Sequence, residues 1–425
     1  MRIFTASWFF PPATSAEGLA AYKLLKHSSY TYDVCCSRSR LWGYAQESDL
    51  KADNIHVYPV DTDQIDVWVR ACIRLFQKLG QTRHYDYVMT RSMPPESILV
   101  GIAAKKMRPD IRWIASMGDP VFRNPYEMEA YVYEDLLLKK LHVNQFFVKH
   151  PKAAGYLLGC LPVKKYRLLR QLYDLEQAAL RQAELLVVPS RRQRDYLLEM
   201  KQNRKYKQKC KVVPHSYDDS LYPGQKKRCE GRVCITYVGY LDRKRMPVEF
   251  LQALAHLKKI HPSAAGRLLV QFVGNLDAGL KDAVNAFFLD GIVKLREPVS
   301  YLESLKLMKD ADYLLHIDAA FSFVKGGSIF FASKLADYLG SQNKVLALTE
   351  KGSEAARIVL QNGGVLLERG NVLGISETLM ELVDHRMQHA VRPLKYSSAQ
   401  TAQYFDRLLK DGLCQKKGIQ TWKNG

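Results

Sequence analysis

Between Asp318 and Gly340 the chain sets out, in order, a carboxylate, an ammonium beside two glycines (Lys325-Gly326-Gly327), a hydroxyl and second ammonium (Ser333-Lys334) and another carboxylate (Asp337). This combination suits a phosphorylated ligand. Lys325 and Lys334 can both meet a phosphate. Asp337 falls one helical turn after Ser333-Lys334, on the same side of a predicted helix, and can accept from the two hydroxyls of a ribose. A second set starts at Val238, where Gly239 and Tyr240 turn into the basic run Arg243-Lys244-Arg245 ahead of a predicted helix over Val248–Ile260. Free backbone N–H groups and the dipole at a helix amino end favour a diphosphate, and adjacent cations add to this. The alternative for that run is a set of solvated charges. Gly274-Asn275 ends another apolar run in the same way. In the first half, Asp119 stands at a strand end as a carboxylate facing a cleft, or as the Asp of a plain Asp-Pro turn. His215, within Pro214-His215-Ser216-Tyr217, reads as a turn histidine.

Strands must carry these residues. Short β-branched or aromatic runs alternate with helical patterns along the whole chain, the signature of βαβ units and parallel sheets. Strands are expected at Ile3–Ser7, Asp33–Cys36, Ile55–Val60, Tyr85–Thr90, Arg112–Ser116, Leu185–Pro189 and Lys211–Pro214. A second group is expected at Val233–Val238, Leu268–Val273, Ile292–Leu295, Tyr313–Ile317, Lys344–Ala347 and Val365–Leu367. The fold class is therefore α/β, with two Rossmann-like parallel-sheet domains facing a central cleft, and ligands are expected beyond the carboxyl ends of the strands. At 425 residues the chain exceeds what one core usually serves, which agrees with two domains. Tyr-Pro-Gly and Gln225-Lys226-Lys227-Arg228 interrupt the pattern between Asp218 and Arg232. This divides the chain into 1–218, carrying a basic insertion at 136–173, then 219–390, and a helical extension 391–425 with no assigned packing.

At this point the residues resemble the family 4-type glycosyltransferases of the GT-B fold. Ser333-Lys334-Leu335-Ala336-Asp337-Tyr338-Leu339 followed by Val345-Leu346-Ala347 is similar to the donor-site helix and next strand of that family. Tyr237-Val238-Gly239-Tyr240-Leu241, Phe272-Val273-Gly274-Asn275, Glu297-Pro298-Val299-Ser300-Tyr301 and Ala311-Asp312-Tyr313-Leu314-Leu315 accompany it in order and spacing. The resemblance is looser in the first half, through Phe10-Pro11-Pro12, Asp119-Pro120, Val188-Pro189-Ser190 and Val213-Pro214-His215. It implies that Glu297-Pro298-Val299 hold a base through the backbone and that Asp337 holds the ribose. Arg243 or Lys244, with the Ser333-Lys334 helix start, would hold the diphosphate. Ser15-Ala16-Glu17-Gly18 sits where such enzymes carry a small-residue loop closing over donor and acceptor. Transfer with retention of anomeric configuration is also implied. Where many members have a sugar-contacting Glu eight residues before the ribose acid, this chain has Ile329, and Lys325-Gly326-Gly327 is the expected replacement.

The formal charge of +20 predicts an anionic partner. From Leu136 to Tyr173 there are eight Lys/Arg and no acidic residue, interleaved with apolar groups, and Lys201–Lys211 adds six more. Such a stretch can lie in the headgroup layer of an anionic membrane, or form a solvated helix face. The opening run reads as a strand ended by prolines rather than a signal peptide, no apolar stretch is long enough to span a bilayer, and the eight cysteines form no metal-type spacing. With the glycosyltransferase activity that the resemblance implies, these point to a cytoplasmic enzyme, peripheral on the inner face of the membrane. It would take a nucleotide-diphosphate sugar and a glycan or lipid-linked acceptor, without metal or cofactor. A nucleotide-sugar 2-epimerase of the same build is the alternative enzyme. A nucleic-acid-binding protein is the alternative suggested by charge alone, but no nucleic-acid motif is present, so no nucleic-acid partner is expected.

Overall fold

In the computed structural model, residues 1–12, 15–38, 50–127, 163–224, 231–321, 324–384 and 392–421 are described. Most of the basic stretch read at 136–173, and the charged run 225–230 at the domain boundary, lie outside them. Each expected strand is present, with ends within two residues of the sequence reading. The first seven are β1 (Arg2–Ala6), β2 (Thr31–Ser37), β3 (Ile55–Val60), β4 (Tyr87–Arg91), β5 (Arg112–Ser116), β6 (Leu185–Val188) and β7 (Cys210–Val212). They alternate with α1 (Ala16–Lys26), α2 (Ile65–Gly80), α3 (Ile98–Met107), α4 (Val163–Gln182) and α5 (Arg191–Leu198). The other six strands are β8 (Val233–Val238), β9 (Leu268–Val273), β10 (Val293–Arg296), β11 (Tyr313–Ile317), β12 (Lys344–Thr349) and β13 (Val365–Glu368). With them come α6 (Val248–Ile260), α7 (Pro262–Gly266), α8 (Ala278–Ala286), α9 (Tyr301–Asp310), α10 (Ser333–Gly340), α11 (Glu354–Gln361) and α12 (Val372–Asp384). A last helix, α13, runs Ser398–Thr421.

All strand pairs are parallel, in the orders β3-β2-β1-β4-β5-β6-β7 and β10-β9-β8-β11-β12-β13. Both sheets therefore reverse winding once, between β1 and β4 and between β8 and β11. At such a switch point the connections leave in opposite directions and open a crevice beyond the strand ends. Burial on both faces explains the apolar strand sequences. Phe4, Val88, Trp113 and Leu186 pack on one side of the first sheet, and Ile3, Tyr87, Ile114 and Leu185 on the other. The second sheet divides likewise, with Ile235, Tyr313 and Leu346 on one face and Leu314, Val345 and Ala347 on the other.

The C-terminal helix returns to the first domain. Ala402, Phe405 and Leu409 of α13 join the core under α1 with Leu25 and Tyr32. Asp406 accepts from the Ser28 hydroxyl at 2.6 Å and the Ser29 N–H at 2.7 Å, and Leu409 O accepts from Tyr87 at 2.8 Å. The chain thus crosses between domains twice, and the two crossing segments run parallel where Tyr217 meets Ser397 in a single isolated bridge. Among the described residues, no helix is long and apolar enough to cross a membrane.

One buried carboxyl tests this packing. Glu176 of α4 is 2 % exposed and accepts the Phe122 N–H at 2.9 Å. Burial pushes its pKa up from 4.5 to about 7, outweighing that hydrogen bond and Arg123. Because the folded value lies above the unfolded one, its contribution to stability is present at low pH and is lost as pH rises through 7. Glu176→Gln should therefore be near neutral at pH 4 and stabilising at pH 8 by on the order of 3 kcal/mol. Melting temperatures at the two pH values check this; an equal difference at both would contradict it.

Candidate functional site

The switch point of the second sheet lies where the sequence placed its chemistry. Gly239 follows β8, Asp318 follows β11 and Gly274 follows β9. Gly239 and Gly274 have φ of +127° and +139°. These two turns interlock: a Cβ on Gly274 would overlap the Gly239 carbonyl oxygen and come within 2.8 Å of its carbon. The Gly239 N–H donates to Val273 O and the Gly274 N–H to Arg296 O, so the turns are held by strand-end hydrogen bonds. Tyr240 and Asn275, the next residues, are exposed.

Helix α10 starts opposite these turns. Its N-cap is Ala332, which supplies no side-chain hydrogen bond, so its first N–H groups are left for another acceptor. Ser333 and Lys334 form the first turn. Lys334 Nζ lies under the β8 turn, donating to the Tyr237 hydroxyl at 2.7 Å and sitting 4.4 Å from the centre of that ring. Burial, then the neighbouring Arg245, push its pKa well down. Leu335 is a correction to the sequence reading: it is fully buried among Tyr217, Leu305 and Tyr338, facing the core rather than the cleft. Asp337 is buried one turn on, where Oδ1 accepts from Lys23 Nζ at 2.6 Å and from the Tyr301 hydroxyl at 3.2 Å. Val299 is half-buried three residues past the end of β10, beside exposed Glu297 and Pro298 and two residues before Tyr301.

The basic run after Gly239 divides unexpectedly. Arg243 is exposed. Lys244 Nζ donates to the Tyr126 carbonyl at 2.7 Å. Arg245 bonds Asp242 at 3.0 Å and the Tyr126 hydroxyl, and its charge acts on Lys334, Tyr237 and Asp119. The cation whose charge acts on Lys334 is thus Arg245, rather than the Arg243 or Lys244 singled out from sequence.

Lys325 is exposed, with its carbonyl taking an Arg192 N–H at 2.9 Å. Gly326 and Gly327 have φ of +79° and +83°. Arg192, from α5 of the first domain, also donates to the Gly327 carbonyl at 3.1 Å and to that of Gly352. The Gly327 N–H is given to Val324 O at 3.0 Å, so in the Lys325-Gly326-Gly327 turn expected to replace the sugar-contacting acid this N–H is already used. The residue at the departed acid position, Ile329, is 2 % exposed in an apolar patch with Phe321, Val324 and Phe330 against Tyr126 and Tyr196. Its carbonyl accepts from Ser190, whose hydroxyl also caps α5. A carboxylate there would lose its water for no partner, which accounts for the apolar residue.

Across the cleft, Ser15 caps α1 by accepting the Gly18 N–H at 2.9 Å. Glu17 pairs with Arg91, which ends β4 at the other switch point. Ser15, Glu17 and Gly18 are thus a helix start, with Gly18 against the Phe9–Phe10 backbone, rather than a loop. Asp119 makes no hydrogen bond among the described residues. Burial and Glu17, opposed by Arg245, push its carboxyl up to about 7. His215 stays neutral, its pKa pushed down to about 3 by burial, Arg91 and Lys23.

Sequence reasoning missed Lys23, Arg91 and Arg192. Arg91 and Arg192 stand in ordinary strand and helix patterns with nothing local to mark them, whereas Lys23, alone in the apolar run Leu19–Leu25, carried a local signal of burial but none of its partner. Their partners lie 314, 74 and 133–160 residues away.

No protein-family model and no curated protein sequence matches this chain. Solved structures do. An α,α-trehalose-phosphate synthase (UDP-forming) from Burkholderia xenovorans, in complex with glucose-6-phosphate, superposes with a TM-score of 0.60 at 12% identity, covering 96% of this chain and 99% of that one. A sucrose-phosphate synthase from Thermosynechococcus elongatus gives 0.58 at 12% identity, covering 99% and 98%. The UDP-GlcNAc 2-epimerase from Methanocaldococcus jannaschii gives 0.52 at 11% identity, covering 96% and 99%. With the two parallel sheets and their strand order, these likenesses show that the chain has the GT-B fold found in glycosyltransferases.

Proposed function

We propose that this protein transfers a sugar from a nucleotide-diphosphate sugar to a glycan or lipid-linked acceptor. One observation carries this: within one turn of α10 lie an uncapped helix start, Lys334 and Asp337, set against the interlocked glycine turns at the switch point. On this reading the backbone at Val299 meets the base, Asp337 the ribose, and the helix start with Lys334 and Arg245 the diphosphate. The bond from the anomeric carbon to the phosphate oxygen breaks, the acceptor oxygen bonds that carbon, and its proton passes to the departing diphosphate. The negative charge released on the diphosphate is stabilised by these cations and N–H groups, already in place, and no metal is invoked. Asp119, a cleft carboxyl poised near neutrality, is placed to contact the acceptor or the sugar.

The test is turnover of a panel of nucleotide sugars by the full chain and by Asp337→Ala. Turnover of none, with no thermal shift by any nucleoside diphosphate, would sink the reading. Retention, implied by the family resemblance, is expected in the product and is read by NMR of the new anomeric centre. For Lys325→Ala, turnover should fall about tenfold through the lost charge beside the leaving group. Unchanged turnover removes Lys325 from the site.

The same fold in a 2-epimerase keeps that activity as a second reading, and conversion of a nucleotide sugar without acceptor would favour it. A membrane-surface site is part of the proposal. Arg167 and Arg170 of α4 flank a groove of about 470 Å³ lined by Leu99, Ile102 and Leu175. Alongside α4, the segment Lys201–Lys209 exposes Lys201, Arg204, Lys205 and Lys207. Binding to anionic vesicles that weakens with salt, without binding to DNA, is the expected outcome.

A further inference from the structure

The proposed nucleotide site includes a residue from the opposite domain. Lys23 stands mid-helix in the apolar run Leu19-Ala20-Ala21-Tyr22-Lys23-Leu24-Leu25 of α1 and is fully buried. Its ammonium lies 5.7 Å from the centre of the Tyr301 ring as well as 2.6 Å from Asp337 Oδ1. An ammonium taken out of water needs a paired anion, and here the anion belongs to the other domain. Oδ1, which also takes the Tyr301 hydroxyl, is therefore used up. Oδ2 accepts no hydrogen bond among the described residues, and the Asp337 side chain keeps 7 % of its surface exposed.

We propose that Lys23 is a positioning residue of the nucleotide site, holding Asp337 ionised with Oδ2 left for the ribose, so that the donor site is complete only while the first domain is seated on the second. This rests on the reading of Asp337 as the ribose partner. Burial presses the Asp337 carboxyl toward its neutral form, and the charge and hydrogen bond of Lys23 are the main forces opposing it. Without the ammonium the carboxyl holds its proton further up the pH scale, and a neutral carboxyl is a weaker acceptor for a hydroxyl.

The other groups facing the pair do not replace Lys23. Tyr301 and Tyr222 are phenols pushed well up by burial, and Tyr222 donates to the Asp337 carbonyl. His215 is neutral, with Arg91 acting on it from beyond. Asp218 adds negative charge but is itself paired with Lys26 at 2.7 Å and His27 at 3.2 Å.

The experiment is calorimetric binding of UDP, GDP, ADP, CDP and dTDP to the full chain from pH 6 to 9. Wild type should bind one of them with an affinity that does not weaken toward pH 6, and each variant is read as its ratio to wild type at the same pH, so that the alkaline weakening due to Lys334 is common to both. Lys23→Met should lose at least tenfold at pH 6, with the loss narrowing as pH rises and Asp337 ionises. Lys23→Arg should restore most of the affinity. Should the methionine variant not fold, Lys23→Gln, which keeps a donor without the charge, should show the same pH-dependent loss. Asp337→Asn should bind weakly at every pH. Wild-type affinity in Lys23→Met or Lys23→Gln, or a loss of equal size at every pH, overturns the proposal. If wild type binds no nucleoside diphosphate, the donor-site reading itself fails and takes this inference with it.

Discussion

Lys334→Ala should lower kcat for sugar transfer by 10²–10³-fold, with a much smaller change in the KM for the acceptor. Preorganised charges at a developing oxyanion have effects of this size. Lys334 is preorganised in that sense: the Tyr237 hydroxyl holds it at 2.7 Å, and the ring beneath holds it at 4.4 Å. The surrounding residues by themselves disfavour its charge. Burial and the Arg245 charge press the ammonium toward losing its proton, and the carboxylates acting on it, Asp242 and Asp318, are weaker influences. A diphosphate supplies the missing negative charge and raises the affinity of Lys334 for its proton. Nucleotide binding should therefore take up protons at alkaline pH, which calorimetry in buffers of different ionisation enthalpy would register. Unchanged kcat in Lys334→Ala, or proton release on binding, contradicts this account.

Gly274→Ala is expected to cost at least about 3 kcal/mol of stability, and to weaken nucleotide binding in whatever protein still folds. Two effects add. At φ +139° an alanine is strained, and its methyl would collide with the carbonyl of Gly239. Neither turn can yield cheaply, because the Gly239 N–H is bonded to Val273 O at 2.8 Å and the Gly274 N–H to Arg296 O at 3.1 Å. Gly80, at the end of α2, is the control: a Cβ there meets nothing within 4 Å, so alanine should be neutral or stabilising by up to about 1 kcal/mol. Denaturant melts of the two variants give the comparison, and equal midpoints would contradict the interlocked geometry.

Ile329 explains itself only through its neighbours. As sequence it is a missing acid; in the structure it belongs to an apolar patch shared by both domains, where Tyr126 lies 5.0 Å from Phe321 and 5.1 Å from Phe330, centre to centre. Restoring an acid at 329 would bury a charge against aromatic rings.

What the sequence by itself determined is the α/β class, the strands, the pair of domains and the location of the glycine turns. These follow from short-range physics: apolar runs of strand length, helical periodicity, and turns that only glycine adopts without strain. The same local logic placed Ser333, Lys334 and Asp337 on one helix start. It failed for Leu335, because a residue within a helical site motif can still face the core. It also misjudged Ser15–Gly18, where the Ser15 cap makes a helix start of an expected loop. The tertiary structure alone decided that the charge of Arg245, rather than that of Arg243 or Lys244, acts on Lys334, and that the C-terminal helix closes back under α1. It alone joined Lys23 to Asp337 and Arg192 to the 325–327 turn. Those pairings link residues more than a hundred positions apart, and no local periodicity announces the partner of a buried charge, which is set by how two separately folded sheets meet.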